Sequence, residues 1–232
     1  MTTFLLLHGG GHGGWCFARL EPLLRARGHG TVAVDLPYDD AAVSLAELGA
    51  RLRAAAAGID DHVVAVGHSM GGLLLPMAAD AANVRALVLL CAVVPEPGRS
   101  FAEQNLEPLV AAPSTVPPDA LVADAQGLRR FRSREALRTH LYQDCDAATV
   151  DWAWERCGAI AAPLGRDPSP VEAWPDRPTT SIVCAEDRAV APAFSHAAAA
   201  RIGATVVELP GSHSPFASRP EALAAVLAAV PA

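Results

Sequence analysis

Lysine is absent from this chain: all 18 of its basic residues are arginine. A composition rich in alanine and arginine, of the kind a GC-rich genome produces, accounts for that. The absence excludes a phosphate-binding loop of the Walker type, whose glycines end in Lys-Ser or Lys-Thr. Charge of either sign is scarce at 19% of residues, and a net charge of −7 argues against a nucleic-acid surface. Cysteine is sparse and patternless. Positions 16, 91, 145, 157 and 184 are odd in number and widely spaced, which suits free buried thiols and shows no metal-site spacing. The opening Met1-Thr2-Thr3-Phe4 lacks the basic start, long apolar core and cleavage site of a secretion signal. No apolar segment approaches the roughly 20 residues needed to span a bilayer. The expectation is a cytoplasmic protein with no membrane partner.

What the chain does have is apolar mass. With 232 residues, 51% of them hydrophobic, it suits one large domain or one domain carrying an inserted subdomain. Its most informative stretch is Gly67-His68-Ser69-Met70-Gly71. An apolar run, His62 to Val66, precedes it, and a small-residue segment from Gly72 to Ala82 that reads as a helix follows. A serine on a sharp strand-to-helix turn needs that context, and a β-carbon at 67 or 71 would strike the adjoining strand or helix. Ser69 is therefore the candidate nucleophile, with the positive end of the following helix beneath it.

Phe4 to Leu7 reads as a buried strand ending in His8-Gly9-Gly10-Gly11-His12-Gly13-Gly14-Trp15. Glycines in such number let backbone N–H groups turn towards a reacting atom, and the spacing lacks a clean dinucleotide fingerprint. His8 and His12 read as loop-shaping or pocket-lining residues, because chain order favours a later base. Trp15 to Arg27 reads as a helix closed by Gly28, Thr31 to Leu36 as a strand, Ser44 to Ala57 as a helix, and Ala86 to Val94 as a strand buried on both faces.

The rhythm breaks from residue 95 to 178. Pro and Gly punctuate short helical candidates, notably Arg134 to Leu141 and Ala147 to Cys157, with no strand signal, so the interval reads as a mainly helical lid inserted into a core of 1–94 and 179–232. Phe101, Phe131, Tyr142, Trp152, Trp154 and Trp174 make it aromatic for this chain, and some should line a pocket. The arginines at 129, 130, 132, 134 and 138 suit a solvated helix face better than a substrate anchor. Thr179 to Cys184 restores the sheet, followed by Ala185-Glu186-Asp187-Arg188, a helix from Pro192 to Arg201 and a last strand from Thr205 to Leu209. Ser218-Arg219-Pro220-Glu221 reads as a capping box opening the terminal helix. The fold class is α/β, a mainly parallel sheet of about six strands with helices on both faces.

Ser69, Asp187 and His213 fall in the order Ser…Asp…His, each in a loop just after a strand. Glu186 is the rival acid, set behind Asp187 because it lies earlier in the turn.

These residues carry a resemblance. The chain is similar to α/β-hydrolases, in the small branch of plant methyl-ester esterases and hydroxynitrile lyases, through residues 8–15, Gly67 to Gly72, Val94-Pro95-Glu96-Pro97-Gly98, Tyr142-Gln143-Asp144-Cys145 and Gly211 to Phe216. The resemblance implies a compact core lacking the first two strands of the fold, and backbone N–H donors at Gly10 and Met70 for an oxyanion hole. Hydroxynitrile lyases of the branch use a lysine beside the catalytic histidine. Here Ser214 follows His213 and no lysine exists, which favours ester hydrolysis over cyanohydrin cleavage.

The expected activity is cofactor- and metal-independent hydrolysis of a small, largely apolar carboxylic ester by an acyl-enzyme route. Candidate pocket residues are His12, His68, Tyr142, Trp152 and Trp174. The expected partner is the small-molecule ester, with assembly as a homodimer left open. Two alternatives stand: a lyase or other base-catalysed enzyme using His213 without acylating Ser69, and a ligand receptor on the same scaffold.

Overall fold

A computed structural model describes residues 2–107 and 112–231. Its strands in chain order are β1 (Thr2–Leu7), β2 (Gly30–Val34), β3 (His62–His68), β4 (Val84–Leu90), β5 (Leu121–Ala123), β6 (Leu128–Phe131), β7 (Ile160–Ala161), β8 (Thr179–Cys184) and β9 (Thr205–Leu209). Six of these form one sheet, in the order β2-β1-β3-β4-β8-β9, and every pairing in it is parallel. Side chains alternate across a strand. Leu5 and Leu7 of β1 therefore bury on one face with Ala65, Leu87 and Leu89, while Phe4 and Leu6 bury on the other with Val64, Val66 and Val88. Helices cover both faces, through Leu48, Leu52, Phe194 and Ala198 on the first and Leu24, Leu223 and Leu227 on the second. Strands dry on both sides have no polar positions to alternate with, so they read as unbroken apolar runs.

The strand order sets the position of the site. From β1 the chain moves outward to β2, then returns to place β3 on the other side of β1. Loops leaving two adjacent strands in opposite directions leave a crevice at the carboxyl ends. The two loops at that crevice are the glycine loop after β1 and the turn at Ser69 after β3, with Leu7 paired to Gly67 in register.

Several helices are shorter than the sequence suggests. The segment expected as one helix from Gly72 to Ala82 is a 3-10 turn, Ser69–Leu73, followed by one α-turn, Leu75–Ala78. Pro76, in the first turn of the second piece, lacks an N–H and clashes with the preceding turn, so it must open a new helix. The Trp15 to Arg27 helix likewise divides into Gly14–Phe17 and Glu21–Arg25 around Pro22. The capping box at Ser218 is not formed. Ser218 closes a short helix, Pro215–Ser218, and its hydroxyl donates back to the Ser214 carbonyl at 3.4 Å, leaving Arg219 at the entry of Pro220–Ala228. Capping boxes do form at Ser44 with Glu47, opening Leu45–Ala57, and at Ser100 with Glu103, opening Phe101–Leu106.

The interval 95–178 carries helices at Phe101–Leu106, Arg134–Leu141 and Ala147–Trp154. It is not strand-free: β5, β6 and β7 form a small antiparallel sheet. Each has two to four residues, too few to show alternation, and their hairpin turns on Asp124, whose side chain accepts the N–H groups of Gln126 and Leu128, and on Gly127 at φ +79°. Residues 108–111 of the interval lie outside the described residues. Arg129 and Arg130 sit on β6, facing solvent, and not on a helix; Arg130 pairs with Asp124 at 3.7 Å, and Arg134 and Arg138 pair with Asp151 and Glu135.

Gly71 packs against β1 so closely that a β-carbon there would lie 2.9 Å from the carbonyl oxygens of Leu7 and His8. Gly71→Ala should lower unfolding free energy by about 1–3 kcal/mol, the usual cost of overpacking. Gly165→Ala, with nothing within 4 Å of the new carbon, should stay within about 0.5 kcal/mol of the parent. Urea unfolding of the two variants checks the contrast.

Candidate active site

Ser69 holds φ +53°, a left-handed conformation that costs a residue with a β-carbon about 1–3 kcal/mol and survives only where the surroundings impose it. They do so here. A β-carbon on Gly67 would meet Gly71 O and Leu75 Cγ at 2.8 Å, one on Gly72 would meet Val93 O at 2.3 Å, and Val93 N–H donates to the Ser69 carbonyl at 3.0 Å. The turn is clamped on three sides. Because the following 3-10 segment is only five residues long, the anion-favouring effect comes from individual unpaired N–H groups of its first turn, Met70 among them, and less from a long helix dipole.

The glycine loop faces this turn with its carbonyls tied back. His8 Nε2 accepts the Leu36 N–H at 2.8 Å, so its Nδ1 carries the proton and donates to Gly9 O at 2.8 Å. Gly9 O also accepts the His12 N–H at 3.2 Å, His12 Nδ1–H donates to Gly10 O at 3.2 Å, and Gly158 N–H donates to Gly11 O at 2.8 Å. The Gly10 N–H has no hydrogen-bond partner among the described residues.

Asp187 and His213 approach from β8 and β9. Asp187 Oδ1 accepts the N–H groups of Ala189 at 2.8 Å and Val190 at 3.0 Å, while Oδ2 accepts from His213 Nδ1 at 2.8 Å. Both side chains are 2% exposed, so the pair meets little competition from water. Glu186 is exposed; its N–H donates to Gly211 O and its carbonyl accepts from Gln143. Behind the pair, His68 Nε2–H donates to the His213 carbonyl at 2.9 Å. Cys91 Sγ lies within 4.8 Å of ligand-capable atoms on Asp187 and His213, but both Asp187 oxygens are committed to N–H donors, and contact with Cys184, together with burial, pushes the Cys91 thiol up and keeps it protonated.

A cavity of about 130 Å³ opens where these loops meet, lined by Gly10, His12, Ser69, Met70 and His213 from the core and by Phe101, Val116, Leu121, Phe131, Leu141 and Ile160 from the interval 95–178. No hydrogen bond joins Ser69 to the His213 ring among the described residues; in unliganded sites such bonds often tighten only around substrate. Four pocket candidates fall elsewhere. His68 lies behind His213, and Tyr142 is fully buried, reaching His12 with its hydroxyl at 2.7 Å. Trp152 packs edge-on against Trp15 with Arg19 and Arg156 over its ring, and Trp174 donates to Thr179 Oγ1. Trp152 and Trp174 thus find partners elsewhere, whereas Phe101 and Phe131 line the cavity, whose remaining walls are mostly aliphatic. Leu121 and Ile160, from the small sheet, carried no sequence signal beyond being apolar.

The Alpha/beta hydrolase family matches residues 4–226. The chain belongs to that family. Norfluorocurarine synthase 2 of Strychnos sp is 30% identical over 244 residues, spanning 95% of this chain and 91% of its own length. A carbendazim hydrolyzing esterase of Nocardioides sp. is 31% identical over 179 residues, 68% of each chain. Among solved structures, the pyrethroid hydrolase PytH with BIF superposes with a TM-score of 0.81 at 26% identity, over 98% of this chain and 96% of its own. This α/β-hydrolase is thus an enzyme of the hydrolase class.

Its pH response follows from the imidazoles. Desolvation lowers the pKa of His8 and His68 and brings that of His12 to about 3. Folded-state values depressed below the unfolded 6.5 mean that the unfolded chain binds more protons, so stability is full above pH 6.5 and falls below it. With three such groups the limiting slope is about 4 kcal/mol per pH unit, at about 1.4 for each. Urea midpoints at pH 7.5, 6.5 and 5.5 should fall over the lower interval, and His8→Gln should flatten that dependence.

Proposed function

We propose that this α/β-hydrolase is a cofactor-independent serine carboxylesterase acting on a small, uncharged, largely apolar ester. The observation that carries the reading is the buried His213–Asp187 hydrogen bond, 2.8 Å long, on the wall of the cavity that also holds the strained Ser69. A serine hydroxyl is a weak nucleophile until an oriented neutral imidazole accepts its proton. His213 takes the Ser69 proton as Oγ attacks the ester carbonyl; Asp187 fixes the tautomer and stabilises the imidazolium. The N–H groups of Gly10 and Met70 receive the oxyanion. Collapse returns the proton to the departing alcohol, and water repeats the sequence on the acyl-enzyme.

Substrate class follows from the walls. Among the described residues, no Asp, Glu or Arg side chain lines the cavity, and a charged group moved there would lose its hydration without a partner. The interval 95–178, which supplies half of those walls, acts as the cover. A relative named as a carbendazim hydrolyzing esterase and a similar structure named as a pyrethroid hydrolase support hydrolysis of a small ester. The five free cysteines support a cytoplasmic location. A second reading, base catalysis by His213 without acylation of Ser69, is favoured by one observation: two relatives matching 95% of the chain are named synthases.

A fluorophosphonate probe separates the two: labelling at Ser69 with loss of p-nitrophenyl ester turnover supports the acyl-enzyme, and full activity of Ser69→Ala sinks it. Asp187→Asn should fold normally and lose up to about 10⁴-fold in kcat. Glu186→Gln should be near neutral, and the reverse pattern would show that the acid is misassigned.

A further inference from the structure

Three consecutive glycines, Gly9 to Gly11, make the most freely rotating stretch in the site. An oxyanion donor is useful only if it is already aimed before charge develops. Something outside the glycines must therefore fix the two peptide planes that meet at Gly10. The plane carrying the Gly10 N–H is held through Gly9 O, which accepts from His8 Nδ1 and the His12 N–H. In a trans peptide the N–H points opposite the carbonyl. The next plane is held through Gly10 O, and here the donor is the His12 ring at 3.2 Å.

The tautomer of His12 is forced. Nδ1 faces a carbonyl, which can only accept, so Nδ1 carries the proton; Nε2 of the neutral ring then has a lone pair, and the Tyr142 hydroxyl, 2.7 Å away, donates to it. The ring is boxed by stacking on Trp15 with centroids 5.5 Å apart, and by edge contacts to His68 and Phe216. Tyr142 is completely buried and follows the helix Arg134–Leu141, within the inserted interval. That interval also supplies Gly158, whose N–H donates to Gly11 O at 2.8 Å.

We propose that His12 and Tyr142 are positioning residues that fix the Gly10–Gly11 peptide plane, which meets the plane carrying the Gly10 N–H at the Gly10 Cα, and so steady that donor and couple the oxyanion loop to the inserted interval. Tyr142 O–H holds the Nδ1–H tautomer of His12, and Nδ1–H holds the Gly10 carbonyl. Neither side chain exchanges a proton with substrate. The proposal rests on the ester-hydrolase reading above.

Because the effect is on a donor that acts in the transition state, loss should fall on kcat and spare KM. Tyr142→Phe keeps the ring and removes the hydroxyl; His12→Asn places an amide N–H near Nδ1, and His12→Gln places one near Nε2. With a p-nitrophenyl ester, Tyr142→Phe and His12→Gln should lose about ten- to hundredfold in kcat, with KM within about twofold. His12→Asn should recover most of the loss. A trifluoromethyl ketone, whose adduct with Ser69 carries an oxyanion, should bind the weakened variants less tightly by the same factor as kcat falls. Unchanged kcat and ketone affinity in Tyr142→Phe, a loss expressed only in KM or Tm, or rescue by Gln in place of Asn would overturn the proposal. Ser69→Ala serves as the separate control. If it retains turnover, the hydrolase reading itself fails; if it is inactive while Tyr142→Phe is normal, only the positioning role is lost.

Discussion

The site depends on how closely two loops can approach across the sheet. A β-carbon on Gly9 would lie 2.6 Å from Ser69 Cβ and 3.0 Å from His68 Nδ1, and one on Gly71 would strike the backbone leaving β1. The absence of β-carbons at Gly9 and Gly71 lets Gly10, Met70 and Ser69 line one cavity. The strain of Ser69 at φ +53° is the other face of the same constraint. A relaxed serine would draw its side chain back towards β3, and only a turn clamped by neighbours on three sides sustains the unfavourable angle. Strand order supplies the geometry, since β1 and β3 are adjacent and their following loops diverge.

Around that contact the protein keeps its charges few. Three imidazoles near the contact, on His8, His12 and His68, are held neutral by desolvation, and each donates one ring N–H to a backbone carbonyl: Gly9, Gly10 and His213 respectively. Neutral rings can bind carbonyls without adding positive field near His213, which becomes positive in the proposed mechanism. Asp187 is then the carboxylate that His213 meets, and its remaining oxygen is fixed by two backbone N–H groups. The histidines thus serve as struts that tie together the loops around His213.

Much of this was legible in the sequence because it is local. Strands buried on both faces announce themselves as apolar runs, and the glycines at 67 and 71 mark places where backbone approaches backbone. Asp187 was separable from Glu186 because a residue further into the turn has left the strand direction. What was not legible is what depends on contacts distant in sequence. Pro76 divides a segment whose composition favours one helix, and Ser218 spends its hydroxyl backwards on Ser214 before any cap can form. Strands of two to four residues carry no periodicity, so β5, β6 and β7 were invisible. The tryptophans expected in the pocket face the body instead, where Trp152 meets Trp15 and Trp174 reaches Thr179.

The small sheet that escaped notice shapes the cavity wall more than the aromatics do. Leu121 and Ile160 project from β5 and β7, and a β-carbon on Gly10 would meet Ile160 Cδ1 at 2.5 Å. The wall therefore rests directly on the glycine loop. The same interval reaches the loop through hydrogen bonds, Gly158 to Gly11 and Tyr142 to His12. A segment that both walls the cavity and braces the loop cannot be displaced without altering each. Changes to Ile160 made to enlarge the cavity would therefore act on the Gly10 backbone as well as on the cavity, whereas Phe101, which also lines the cavity, contributes none of the atoms nearest Gly10.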